Sequence, residues 1–206
     1  MKLNKDLLDK IFVTSDTHYG HQNICRGVSQ WDLTRKDVEG NILGVRDFDT
    51  LEEMNRAVVD NINAIVPTDG ILFHLGDWSF GGKQNIEIFR NQLNCQIIHC
   101  IHGNHDHHIK NGIVSHCFTS HQDYLELEVG EFKFVLFHFD INSWNNLKRD
   151  AIHLHGHQHW KGDRRFGNGR KMDVGMDGND LKPYKLTDVI EMLTDRVYVG
   201  TDDHHV

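Results

Sequence analysis

Residues Lys10 to His21 read KIFVTSDTHYGH: a short apolar run that stops abruptly in Ser, Asp, Thr and His. Such a run, bounded by polar turn residues, predicts a buried strand followed by a loop. The same figure returns four times, in ILFHLGD (71–77), QIIHCIHGNHD (96–106), EFKFVLFH (131–138) and AIHLHGHQH (151–159). Each time an apolar strand runs out into Asp, His or Asn, usually beside a glycine. In layered α/β folds, ligands gather at the carboxyl ends of strands, where loops from several strands meet. Five clusters distant in sequence are therefore expected to converge on one site.

The segments between these strands supply helices. Asp49 or Thr50 can cap a helix through Leu51, Met54, Ala57, Val58, Ile62 and Ile65, with Pro67 just beyond its end. A second helix is predicted over Gln84–Leu93, with Ile86, Phe89 and Leu93 inward, and a closing helix over Thr187–Leu193. Tyr124–Val129 and Glu131–Phe137 read as a hairpin turning at Gly130, and Lys171–Val174 as a further strand. Residues 24–49 are polar and irregular and predict an excursion lying over one end of the domain.

A chain of 206 residues fits one domain, residues 1–206, with a sizeable core. The net charge of −8 with histidine neutral disfavours duplex binding, which needs a basic face against phosphates. The four cysteines, Cys25, Cys95, Cys100 and Cys117, form no CxxC pair and read as free thiols of a reducing compartment. There is no charged-then-apolar leader and no apolar run of eighteen residues, so a soluble, cytoplasmic protein without membrane contact is expected. Histidine is the outlier, with seventeen copies. His204 and His205 read as tail residues; the internal ones sit in runs at strand ends.

The five clusters are Asp16-Thr-His18, Gly76-Asp77, Gly103-Asn104-His105-Asp106, His138 and Gly156-His157-Gln-His159. Imidazole nitrogens, carboxylates and an amide oxygen without thiolate suit borderline divalent ions. Side chains two apart on a strand share a face, so Asp16 with His18, and His157 with His159, are expected to reach one site each. The glycines leave the backbone free to turn and leave room beside the ligands.

In order, D-x-H, GD, GNHD, H and GHxH resemble the calcineurin-like metallophosphoesterase superfamily, and the resemblance runs from Asp16 to His159. THYGHQNI, HLGD and IHLHGHQH look closest to its small bacterial and phage members. The resemblance implies an α/β fold of two packed mixed β-sheets flanked by helices. It implies one metal held by Asp16, His18, Asp77 and His159, and a second held by Asp77, Asn104, His138 and His157, with Asp77 shared. His105 takes the family's position for a residue that faces phosphate and protonates the leaving oxygen. The implied activity is metal-assisted hydrolysis of a phosphoester, with Mn²⁺ the expected activator and Fe, Zn²⁺ or Ni²⁺ compatible with the donors. One departure stands out. The protein phosphatase branch reads GDxxDRG, whereas here Gly76-Asp-Trp-Ser-Phe80-Gly lacks both the later Asp and the Arg. That points away from protein phosphatases and towards small, nucleotide-derived diesters. It also leaves the orienting partner of His105 open, with Asp106 nearest in sequence. A nuclease and a non-catalytic scaffold are the alternatives.

His21, Asn23 and Arg149 are candidate substrate contacts, with Arg26 a further isolated candidate. His74, His99, His102, His153 and His155 read as core or strand-end histidines, and His107 and His108 as solvated. The basic group Lys161, Arg164, Arg165, Arg170 and Lys171 reads as a solvated loop, and Asp173 and Asp177 as either acids standing behind the ligands or residues of Asp-Gly turns.

Overall fold

The computed structural model describes residues 1–200. His204 and His205 lie outside the described residues. Ten strands form two five-stranded mixed sheets with helices on their flanks.

The first sheet holds β2 (Ile11–Thr14), β3 (Ile71–His74), β4 (Ile97–Ile101), β5 (Ser120–Gln122) and β10 (Tyr184–Lys185), in the order β10-β2-β3-β4-β5. β2 to β5 run parallel and β10 antiparallel. The second sheet holds β1 (Lys2–Leu3), β6 (Tyr124–Val129), β7 (Phe132–Phe137), β8 (Ile152–His155) and β9 (Lys171–Asp173), in that order. Only the β6–β7 hairpin is antiparallel there.

Parallel strands covered on both faces read as unbroken apolar runs, and β2 and β3 are buried along their whole length. Their side chains divide by alternation. Ile11, Val13, Ile71 and Phe73 face Leu127, Val129, Phe134, Leu136, Ile152 and Leu154 of the second sheet, forming the larger core. Phe12, Leu72 and Ile98 face the helices α1 (Leu51–Ile65) and α2 (Lys83–Gln92). Two short helices complete the set, α3 (His107–Lys110) and α4 (Leu186–Leu193), the latter giving Val189 and Leu193 to the intersheet core.

Thr50 caps α1 with a full capping box: its hydroxyl accepts from Glu53 N–H, and Glu53 accepts from Thr50 N–H, each at 3.2 Å. The buried face is Met54, Val58, Val59 and Ile62. Ile65, expected inward, is the last residue of the helix and is exposed. α2 ends one residue short of Leu93, which is still buried.

The register places the site. Ile11, Ile71 and Ile97 align across β2, β3 and β4, so Thr14, His74 and Cys100 stand level and the three strands end within one residue of one another. An isolated bridge between Ser15 and Gly175 joins the two sheets at that end. The excursion 24–49 consists of turns and short bridges and is seated on α1 through Ile24, Cys25 and Met54. All four cysteines are buried and unpaired. Among the described residues, no helix is long and apolar enough to cross a membrane.

Candidate metal centre

The five clusters meet at the shared carboxyl end of the strands, but not by strand alternation. Asp16, His18, Asp77, His157 and His159 all lie past their strands with positive φ, between 49° and 72°. The expectation that Asp16/His18 and His157/His159 share strand faces is therefore corrected: left-handed turns aim them. Such backbone costs of order 1 kcal/mol or more per residue and persists because hydrogen bonds across the loops fix it. Asp16 N–H donates to Gly76 O (2.9 Å), His18 N–H to Asp77 O (3.1 Å), and His157 N–H to the Asp16 carboxylate (2.9 Å).

Two groups of donors result: Asp16, His18 and His159 in one, Asp77, His138 and His157 in the other. Within each, one donor atom per residue lies within 4.8 Å of the others. His18 Nε2 and His159 Nε2 are 3.2 Å apart, and each is 3.8 Å from Asp16 Oδ1. Asn104 Oδ1 is 3.0 Å from His138 Nε2, which adds an amide oxygen to the second group. Asp77 Oδ2 is 3.7 Å from His18 Nε2 and 3.6 Å from His138 Nε2, so one carboxylate oxygen faces both groups.

The imidazoles are oriented from behind. His138 Nδ1 lies 2.7 Å from Leu75 O and His159 Nδ1 lies 2.8 Å from Asp177 Oδ2. Both Nδ1–H groups donate outward, which turns the Nε2 lone pairs inward, the arrangement a metal ligand needs. Asp16 Oδ1 is buried without any hydrogen-bond partner, and a lone carboxylate oxygen is costly to bury. Burial raises the Asp16 carboxyl above its usual range. Burial, then the nearby His159 and Arg46, pull His18 well below its usual value. Burial also pulls on His159, but the Asp177 hydrogen bond and the Asp16 and Asp177 charges outweigh it and push His159 up to about 9. Convergent lone pairs, an orphaned carboxylate oxygen and an N/O donor set fit divalent cations.

Two glycines allow the loops to close. A Cβ on Gly103 would strike the Asp77 carboxylate and backbone, and one on Gly156 would strike Ser15 and the Asp16 carboxylate. Their absent side chains make room for neighbouring ligand loops, not only for ions and substrate. Asp106 does not touch the His105 ring. Its carboxylate accepts N–H groups from Asp77 (2.8 Å), Trp78 (3.0 Å) and Gly103 (2.8 Å), tying the GD loop to the GNHD loop. His105 is held instead by its own N–H, which donates to Asp77 Oδ1 (3.0 Å), and by Phe80, whose ring centroid is 4.6 Å from its own. Phe80 also stacks on His21, with centroids 3.7 Å apart.

His21 thus stands beside the centre, 5.2 Å from the His18 ring between centroids. Asn23 engages its amide oxygen with Gln30 N–H (3.2 Å), a contact to the start of the excursion. Arg149 is corrected: it precedes the amino end of β8 and so lies a strand's length from the centre, which forms at the carboxyl end. Arg26 is paired with Asp47 (2.5 Å) and Asp49 (2.6 Å). His155 ends β8 with Nδ1 3.0 Å from Gly156 O, and its neighbour Asp173 accepts from Trp160 and Gly175 N–H. The basic stretch is not one solvated loop. Lys171 is buried against Asp140 (2.6 Å), Arg165 reaches Gly178 O (2.8 Å), and Arg164 lies over Trp160.

Arg46 is the residue that sequence reasoning missed. It is buried and donates to the backbone oxygens of Asp16 (2.6 Å) and Thr17 (2.8 Å) and to both oxygens of Asp177. Its signal is weak: one arginine in a polar stretch with no motif around it.

No family model matches the chain. It is 27% identical over 191 residues, 89% of this chain and 91% of the relative, to MJ1445 of Methanocaldococcus jannaschii, described as an uncharacterized protein. A crystal structure of AQ665 from Aquifex aeolicus, described as a protein of unknown function, superposes with a TM-score of 0.62 at 18% identity. It covers 88% of this chain and 98% of that one. That likeness shows the shared fold.

Proposed function

We propose that this chain is a two-metal phosphoesterase of the calcineurin-like metallophosphoesterase type, acting on small phosphodiesters such as those derived from nucleotides. The observation that carries the reading is the position of Asp77 Oδ2, within 3.7 Å of a histidine nitrogen in each donor group. A carboxylate between two sets of imidazoles is the means of holding two cations side by side. Asp16, His18, Asp77 and His159 would hold one, and Asp77, Asn104, His138 and His157 would hold the other. Bound divalent cations, Mn²⁺ first among them, lower the pKa of water and polarise phosphoryl oxygens.

The remaining work falls to the chain itself. His105 has its side chain exposed at the mouth of the centre, its Nε2 3.9 Å from Asp77 Oδ2. There it donates a proton to the leaving oxygen. Phe80 backs the His105 ring and His21 extends the same wall. Two arginines of the excursion, Arg26 and Arg46, are committed to carboxylates. That leaves no guanidinium from them to grip a dianionic monoester and favours diesters. The net charge of −8 weighs against a long nucleic acid as substrate.

Protein stripped with EDTA and reconstituted with Mn²⁺ should take up two ions per chain and hydrolyse bis(p-nitrophenyl) phosphate. Asp77→Asn should lose ions and turnover together. Full activity at one ion per chain overturns the two-metal reading. Two ions without hydrolysis of any monoester or diester leaves a metal-binding scaffold.

A further inference from the structure

We propose that Arg46 is a positioning residue for the cation position formed by Asp16, His18 and His159, and makes it the tighter of the two. The inference rests on reading the two donor groups as a metal pair. It goes further by ranking the two positions and naming what ranks them.

One guanidinium ties both halves of that position. Nη2 donates to Asp16 O (2.6 Å) and Nη1 to Thr17 O (2.8 Å), which fixes the loop carrying Asp16 and His18. Nε and Nη2 fork onto the two oxygens of Asp177 at 3.0 and 2.9 Å. Asp177 Oδ2 in turn accepts from His159 Nδ1 at 2.8 Å. The side chains of Arg46 and Asp177 are only 3% and 8% exposed, so water scarcely competes for these bonds. A planar five-donor fork can satisfy two backbone carbonyls and a carboxylate together; an ammonium cannot match that geometry. Carboxylates behind a ligating imidazole fix its ring and tautomer and strengthen it as a donor.

At the second position the backing carries no charge. His138 Nδ1 meets only the backbone oxygen of Leu75, Asn104 brings no charge, and His157 is exposed. The first position has Asp16 and His18 buried, with Asp16 Oδ1 unpartnered. Asp16 in addition to the shared Asp77, and an imidazole backed by a carboxylate, both fall on the first side, so the two positions fill in order. Arg46 comes from the excursion, where its backbone pairs with Ile24 and Cys25, so this loop is part of the metal centre's frame.

The test is calorimetric titration of EDTA-stripped protein with Mn²⁺, with ions counted after dialysis. Wild type should bind in two resolved steps. Arg46→Ala should weaken the tight step by about 10- to 100-fold, the usual effect of losing a group behind a ligand, and leave the weak step in place. Asp177→Asn should do the same, and Arg46→Lys should fall between. A tight step unchanged in Arg46→Ala overturns the inference, as does equal weakening of both steps. Circular dichroism of the stripped variants checks folding; if Arg46→Ala does not fold, Arg46→Lys and Asp177→Asn decide the matter. Phosphoester assays on the same samples separate this inference from the proposed activity. Altered binding in a protein that hydrolyses nothing keeps the inference and drops the activity. Unaltered binding in an active enzyme does the reverse, and a wild type holding fewer than two ions overturns both.

Discussion

On the proposed reading, His105 and Asp77 show how little separates a ligand from a catalyst. Both belong to Gly-adjacent turns, and His105 N–H bonds the Asp77 carboxylate, yet the His105 side chain is 43% exposed against 3% for Asp77. His105→Ala should therefore keep both ions and the fold while turnover drops by about 10²- to 10⁴-fold, the range for loss of a general acid. Diesters with poor leaving groups should lose most, because a nitrophenolate scarcely needs the proton. Steady-state rates on the two classes, with metal analysis alongside, check this; a lost ion would make His105 a ligand. The ligand types were readable because Asp, His and Asn follow apolar runs five times over. Arg46 was not, since its partner Asp177 lies 131 residues away and nothing around either marks the pairing. Nor was the turn geometry, because sequence does not show which Asp or His departs from ordinary φ.

Among the secondary-structure elements, those with an internal signal could be read from the chain. The Thr50–Glu53 box announces α1, and alternation with Gly130 announces the β6–β7 hairpin. β1 and β10 are two residues each and β5 three, too short for any periodicity, and they form only because an open sheet edge is at hand. Sheet order escaped for the same reason: β1 pairs with β6 across more than 120 residues. α1 also serves the site, since Asn55 accepts Gly20 N–H at 2.8 Å and Met54 supports the excursion. Thr50→Ala should cost about 1 kcal/mol, a fall in Tm of about 2–4 °C in a chain of this size. Thermal denaturation with metal analysis should show that loss with two ions still bound. An unchanged Tm would mean the box contributes nothing measurable.

Across the protein, buried histidines outside the two donor groups contribute to the response to acid. Burial, then the nearby His138, lower His74 to about 3; its Nδ1 accepts Gly76 N–H, a role open only to the neutral ring. Burial, then His155, lower His153 to about 4. Both folded values lie below the ordinary 6.5, so the unfolded chain takes up protons first. Their contribution is complete above pH 6.5 and declines as pH falls through that value towards 4 and then 3. Each such proton steepens the decline by up to about 1.4 kcal/mol per pH unit. Urea denaturation of EDTA-stripped protein from pH 7 to 5 should show this slope, and His153→Phe should make it shallower. An unaltered slope would clear His153 of the role.

The left-handed backbone at Asp16, His18, Asp77, His157 and His159 sets the centre against the stability of its own scaffold. Glycine tolerates that conformation without strain, so exchanging any of these residues for glycine relaxes the chain as it deletes a donor. Change to glycine at these positions is downhill for the backbone and uphill for the chemistry. If the centre holds cations as proposed, a lineage with no need of them would be free to trade these residues for glycine and keep an inert shell of the same outline.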